Sequence, residues 1–292
     1  MATILVTGST GHLGRQTLQF LLKTDPTNHL IALARDPSKV SASDLPGVEV
    51  RQGDYTDSDS LVQAFAGVDT LFMVAAVSFT DRETQHKNVI LAAKEAGVKR
   101  IVYTGLQRPE GSSFVLTETT QTEVVTENFL KASGVTYTIL RNSLYLDAVT
   151  FMVGQDACQE GVRLPAGTGK ATMISRHDLA EAAAKVLTES GHENKTYTLG
   201  ASEAFSFAEI AAALSDICSK NIAYVDTPVQ EYIDAKVKLG FPVPVASFLA
   251  EWGQAVAAGE FTEVTKDLER LIGRKPTPYE TDLAKLYAPS SL

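Results

Sequence analysis

Through residues 3–140 of the 292-residue chain, short β-branched runs alternate with longer stretches of helical periodicity, and three of the helix-to-strand junctions are near copies of one another. They read Ala66-Gly67-Val68-Asp69, Ala96-Gly97-Val98-Lys99 and Ser133-Gly134-Val135-Thr136. In each, a glycine able to adopt positive φ ends a helix and an apolar residue enters a strand. Strands are expected at 3–7, 30–34, 48–51, 70–75, 100–104 and 136–140, with helices at 13–23, 58–65, 83–96 and 118–132 between them. Strands joined by crossover helices run parallel, so the expected fold class is α/β, a Rossmann-type doubly wound parallel sheet.

Beyond Asn142 the rhythm loosens. A glycine-rich turn spans 161–169, a helix is expected at 177–188, and a strand at 196–199 is placed to return to the main sheet. Residues 207–286 read as mostly helical, broken by Pro242, Pro244, Pro276 and Pro278. The expectation is a nucleotide-binding domain over 1–142 and a smaller, mostly helical substrate-binding part over 143–292.

Composition narrows the class. With 44% hydrophobic and 21% charged residues the chain is an ordinary globule. A formal charge of −9 without any Lys/Arg run argues against nucleic acid as a partner. No stretch of roughly 18 apolar residues occurs and no basic leader precedes Ile4, so neither a membrane span nor a secretory signal is expected. Cys158 and Cys218 allow at most one disulfide and lack the spacing or histidine company of a metal site. So sparse a use of cysteine is expected of a cytoplasmic protein, working as a monomer or homodimer on a small molecule.

Strand one runs into Thr7-Gly8-Ser9-Thr10-Gly11-His12-Leu13-Gly14 and then a helix, the context in which spaced glycines bind a dinucleotide. The first spacing is one residue wider than G-x-G-x-x-G. Gly8 is assigned the turn, Gly11 the approach of the pyrophosphate, and Gly14 the close packing of helix on strand. Helix-start amides at His12 and Leu13, with Thr7 and Thr10, complete the predicted anion cradle. Strand two ends in Arg35, where an arginine accommodates a 2′-phosphate and an acid would take a ribose hydroxyl. Lys39 is placed to join that clamp, and Asp36 is expected to cap the turn begun by Pro37. The cofactor expected is therefore NADPH. After strand three, Asp54 and Tyr55 are candidates for its adenine side. Ala75, Ala76 and Val77 follow strand four, and Thr104 and Gly105 close strand five; all five are expected along the ribose and nicotinamide half.

Several of these segments together resemble the NmrA-like family of atypical short-chain dehydrogenases, and in particular its bacterial quinone-reducing and triphenylmethane-reducing members. The resemblance is carried by residues 6–14, Ala34-Arg35-Asp36-Pro37, Arg51-Gln52-Gly53-Asp54-Tyr55, Gln85-His86-Lys87-Asn88-Val89, Tyr137-Thr138-Ile139-Leu140-Arg141-Asn142 and 191–197. It implies NADP(H) on the glycine loop and Arg35, with a substrate pocket between the sheet and the C-terminal part. Where members often carry a histidine ahead of the pair matching Thr126-Glu127, this chain has Glu123, so that histidine's role does not transfer. His86 reads as structural.

Ordinary short-chain dehydrogenases use a Tyr-x-x-x-Lys pair, in which lysine lowers the tyrosine pKa. The helix at 118–132 has no tyrosine. The one match, Tyr232 to Lys236, lies about 100 residues too far along the chain. Lacking a general acid worth about 10²- to 10⁴-fold, the chemistry should favour acceptors that need little proton help, such as quinones or cationic triarylmethane dyes. Asn142 and Tyr145, at the end of strand six, are the candidates for positioning that substrate. The competing reading is a non-catalytic dinucleotide redox sensor acting through a protein partner.

Overall fold

A computed structural model describes residues 2–117 and 119–287. Its first half is β1 (Thr3–Val6), α1 (His12–Thr24), β2 (His29–Ala34), β3 (Glu49–Gln52), α2 (Ser58–Ala64), β4 (Thr70–Met73), α3 (Arg82–Glu95), β5 (Arg100–Leu106), α4 (Thr120–Ala132) and β6 (Thr136–Asn142). The second half comprises α5 (Val149–Val153), α6 (Ala157–Glu160), β7 (Val162–Leu164), β8 (Lys170–Ala171), α7 (Arg176–Thr188), β9 (Lys195–Leu199), β10 (Phe205–Ser206), α8 (Phe207–Cys218), β11 (Tyr224–Asp226), α9 (Val229–Lys238), α10 (Val243–Ala257), α11 (Asp267–Ile272) and α12 (Tyr279–Tyr287).

Seven strands form one parallel sheet in the order β3-β2-β1-β4-β5-β6-β9, so β9 does return to it. All of β4 is buried, as expected of a strand covered on both faces. Alternate residues supply two cores. Ile4, Val6, Val102 and Leu140 pack with α1, α7 and α11, while Leu5, Leu71, Ile101 and Ile139 pack with α2, α3 and α4. A third core, built around α8 and α10 with residues of α9 and α12, belongs to the second half. The three repeated junctions behave as their sequences predict: Gly67, Gly97 and Gly134 have φ of 72°, 77° and 81°.

Some boundaries move. β5 and β6 each run two residues beyond expectation because Gly105↔Arg141 and Leu106↔Asn142 stay in register. Strand β4 stops at Met73, two residues early, because the segment after it leaves the ladder for side-chain partners. Helix α4 begins at Thr120, and Glu118, where the periodicity places its start, lies outside the described residues. The short strands β7, β8, β10 and β11 escape sequence reading, since two or three residues carry too little alternation to detect. Cys158 and Cys218, 60 residues apart, are joined in a disulfide between α6 and the end of α8.

Candidate active site

With every strand of the sheet parallel, all carboxyl ends lie on one edge, and the direction of strand order reverses between β1 and β4. Crevices at such a reversal are where open α/β sheets bind ligands. Gly8 makes the turn out of β1 with φ of 60°, and the Gly11 amide closes it by donating to the Gly8 carbonyl at 2.9 Å. A Cβ on Gly14 would sit 2.5 Å from the Gly8 oxygen, so only glycine lets α1 begin this close to the turn. Ser9, which sequence reasoning left unassigned, anchors the loop by donating to the Leu33 carbonyl at 2.7 Å. Gly8, Thr10, Gly11 and His12 are exposed, while Leu13 and Gly14 face inward.

Helix α1 starts without a side-chain cap and with no acid in its first turn. The orphan amides of a 13-residue helix thus face an open, glycine-lined crevice, the donor set that a pyrophosphate requires. The residues present fit a dinucleotide. Arg35 follows β2 with its side chain exposed, and Asp36 is occupied by the amide and hydroxyl of Ser38, the capping expected of it. Lys39 lies 4.0 Å from Asp36 on the same rim. Asp54 accepts from the amide and hydroxyl of Thr56, each at 2.9 Å, and Asp57 caps α2.

Thr7 and Tyr55 turn inward. The Tyr55 hydroxyl sits between Thr7 Oγ1 (2.6 Å) and the Val74 carbonyl (2.8 Å), and burial pushes that phenol well above its ordinary pKa. Their side chains brace the crevice floor. Three amides leaving β4 are each taken by a buried side chain: Val74 N–H by Thr7 Oγ1 at 2.8 Å, Ala75 N–H by Thr104 Oγ1 at 2.9 Å, and Ala76 N–H by His86 Nε2 at 2.9 Å. Val77, next in line, is 69% exposed.

At the end of β6, Asn142 is buried and its Nδ2 donates to the Tyr145 hydroxyl at 3.1 Å. Among the described residues Asn142 Oδ1 meets no partner. The Arg176 guanidinium, at the start of α7, lies 4.2 Å from the centre of the Tyr145 ring and is ion-paired to Asp147. Burial raises the Tyr145 pKa, against the Asn142 hydrogen bond and the Arg176 charge, so the phenol keeps its proton at neutral pH. Gln107, also missed from sequence, joins this end to the second half: its Nε2 donates to the Glu263 carbonyl and its Oε1 accepts from Thr172.

Behind β5 the charges are buried in pairs. Glu123 accepts from Arg82 at 2.7 Å and from the Tyr103 hydroxyl at 2.8 Å, and burial raises its pKa. Burial pushes Glu127 the same way, but hydrogen bonds from Arg141 and Arg108 more than reverse it, leaving Glu127 below the ordinary range. Tyr232 and Lys236 are spent elsewhere, donating to the Met152 and Phe151 carbonyls.

Fold and site together define a Rossmann-type α/β protein with an anion cradle at the switch point of its sheet. The family model for the NmrA-like family matches residues 1–282, and the chain belongs to that family. It is 35% identical over 286 residues to quinone oxidoreductase 2 of Escherichia coli K12, spanning 97% of this chain and 98% of that protein. The solved structure of Citrobacter sp. triphenylmethane reductase has a TM-score of 0.89 at 36% identity, over 98% of this chain and 99% of that one. That of the NADPH-dependent quinone oxidoreductase of Escherichia coli complexed with NADPH has a TM-score of 0.88 at 33% identity, over 97% and 99%.

Proposed function

We propose that this protein is an NADPH-dependent oxidoreductase that passes hydride to a quinone-like or cationic dye-like aromatic acceptor, without a Tyr/Lys general acid pair. The observation that carries the reading is the glycine cradle before the uncapped start of α1, with Arg35 exposed at the neighbouring strand end. The relatives' names agree with it, being quinone and triphenylmethane reductases.

Gly8, Thr10, Gly11 and His12 take the pyrophosphate through backbone amides, and Arg35 with Lys39 takes the 2′-phosphate as a charge-assisted clamp. Asp54 borders the adenine, while Ala75, Ala76, Val77, Thr104 and Gly105 flank the nicotinamide half. NADPH supplies the hydride, and the protein's work is to orient and exclude water. Asn142 Nδ2, which keeps a second N–H beyond the one given to Tyr145, and the protonated Tyr145 hydroxyl are the donors that the end of β6 and the turn after it offer to an acceptor carbonyl. The only tyrosine and lysine at the usual spacing hydrogen-bond backbone carbonyls, which supports chemistry that needs little proton help. Residues 1–142 bind the cofactor, and the part of 143–287 outside α7, β9 and α11, which complete the main sheet and its core, forms the wall against which a flat acceptor lies. The reading has the protein work as a monomer or homodimer; the Cys158–Cys218 disulfide, a bond that a reducing compartment disfavours, runs against the argument for the cytoplasm from sparse cysteine.

Calorimetry with NADPH, followed by stopped-flow absorbance with a panel of quinones and triarylmethane dyes, tests the proposal. Binding followed by rapid loss of NADPH absorbance is expected. Binding with no oxidation by any acceptor would replace it with the dinucleotide sensor.

A further inference from the structure

We infer that His86 is a positioning residue for the dinucleotide, which holds segment 74–76 as a preset shelf behind the glycine loop through the Ala76 amide. The inference rests on the NADPH reading above. Three successive amides leaving β4 are each taken by a buried side chain: Thr7 just past β1, Thr104 of β5 and His86 of α3. Thr7 and Thr104 are strand-end neighbours in the same sheet. His86 reaches in from a helix and is the outermost of the three, and the chain becomes exposed at Val77, directly beyond it.

The shelf bears on the phosphate loop. A Cβ at Gly8 would lie 3.1 Å from Val74 Cβ, so a displaced shelf meets the turn that carries the pyrophosphate amides. The imidazole is fixed in turn from α4 and β5. Its Nδ1 is 2.8 Å from Thr126 Oγ1, and the Tyr103 ring packs edge-on at 5.6 Å between centroids. Accepting at Nε2 requires the neutral ring with its proton on Nδ1, donated to Thr126. Charged groups around it are Arg82 on its own helix and the Glu123 carboxylate that pairs with Arg82 and Tyr103. A segment ordered before the cofactor arrives has no backbone freedom left to lose on binding.

The test compares His86→Met, which fills the volume without an acceptor, with His86→Gln, whose Oε1 restores one. In the cofactor-free protein, hydrogen exchange at the Ala76 amide should quicken about tenfold or more in His86→Met and return toward wild type in His86→Gln. NADPH affinity by calorimetry should fall about five- to tenfold in His86→Met, with kcat at saturating NADPH within about twofold of wild type, and recover in His86→Gln. Thr126→Val frees the ring without touching Nε2 and should shift both readouts in the same direction, which keeps the test open should His86→Met fail to fold. Unchanged Ala76 exchange, or unchanged NADPH affinity, in a folded variant overturns the inference. Absence of NADPH binding to the wild-type protein, measured first, overturns the cofactor reading itself.

Discussion

Arg35 and Asp36 stand side by side at the end of β2 with different tasks, because Ser38 engages the carboxylate and the guanidinium stays in solvent. Ser38 takes one oxygen of that carboxylate, and the proposed role of the exposed arginine beside it is to meet a 2′-phosphate. Arg35→Ala should therefore weaken NADPH binding by about 1.5–3 kcal/mol, the worth of a hydrogen bond to a charged group, and barely change NADH binding. Equal losses in calorimetry would show that Arg35 does not contact the phosphate. At the end of β6, the proposed placement of the acceptor against Tyr145 and Asn142 predicts that Tyr145→Phe and Asn142→Ala lower turnover about tenfold or more while NADPH affinity stays near wild type. Steady-state rates with a quinone check this, and normal turnover in both variants would move the acceptor site elsewhere. Asn142 and Tyr145 were legible as strand-end residues. Arg176, stacked on the Tyr145 ring from 31 positions along the chain, had no local signal.

At the scale of the element, the turn from β1 into α1 was the most legible part of the molecule. Its glycines answer to sterics within seven residues: Gly14 cannot carry a Cβ 2.5 Å from the Gly8 oxygen, whereas one on Gly11 would sit at 3.3 Å. Gly14→Ala is expected to cost about 1–3 kcal/mol of stability and to abolish tight NADPH binding, while Gly11→Ala folds nearly normally. Thermal melts and calorimetry on the two variants decide it, and a Gly14→Ala protein that binds NADPH like wild type would refute the close-packing argument. Helix α4 shows the opposite case. Its periodicity was readable, but the partners of Glu123 and Glu127 were not, because Arg82, Arg108 and Arg141 come from three other segments.

Across the whole molecule, two long-range features set the response to solution conditions. Burial, aided by Arg82, takes the His86 pKa down from its ordinary 6.5 to about 3. The native state thus refuses a proton that the unfolded chain accepts. Its contribution is full above pH 6.5 and is lost as pH falls toward 3, at about 1.4 kcal/mol per pH unit. Urea unfolding at pH 7 and pH 5 should show a loss of about 2 kcal/mol that His86→Gln does not share, and an identical loss in that variant would assign the slope to other groups. The Cys158–Cys218 bridge closes 60 residues between α6 and α8, for which loop entropy gives about 4 kcal/mol. Melting with and without a reductant should differ in that sense, and coincident melts would show that the bridge adds no stability.

Periodicity and the recurring glycines determined, without any structure, that this chain builds a parallel α/β sheet with a nucleotide loop after its first strand. Both signals are local, since helix, strand and positive-φ turn are decided by sterics among near neighbours. Tertiary packing alone decided that His86 would meet the Ala76 amide, that Arg176 would lie over Tyr145 and that two distant cysteines would join. Those pairings depend on which buried groups are left facing one another once the layers close, and no spacing along the chain encodes that.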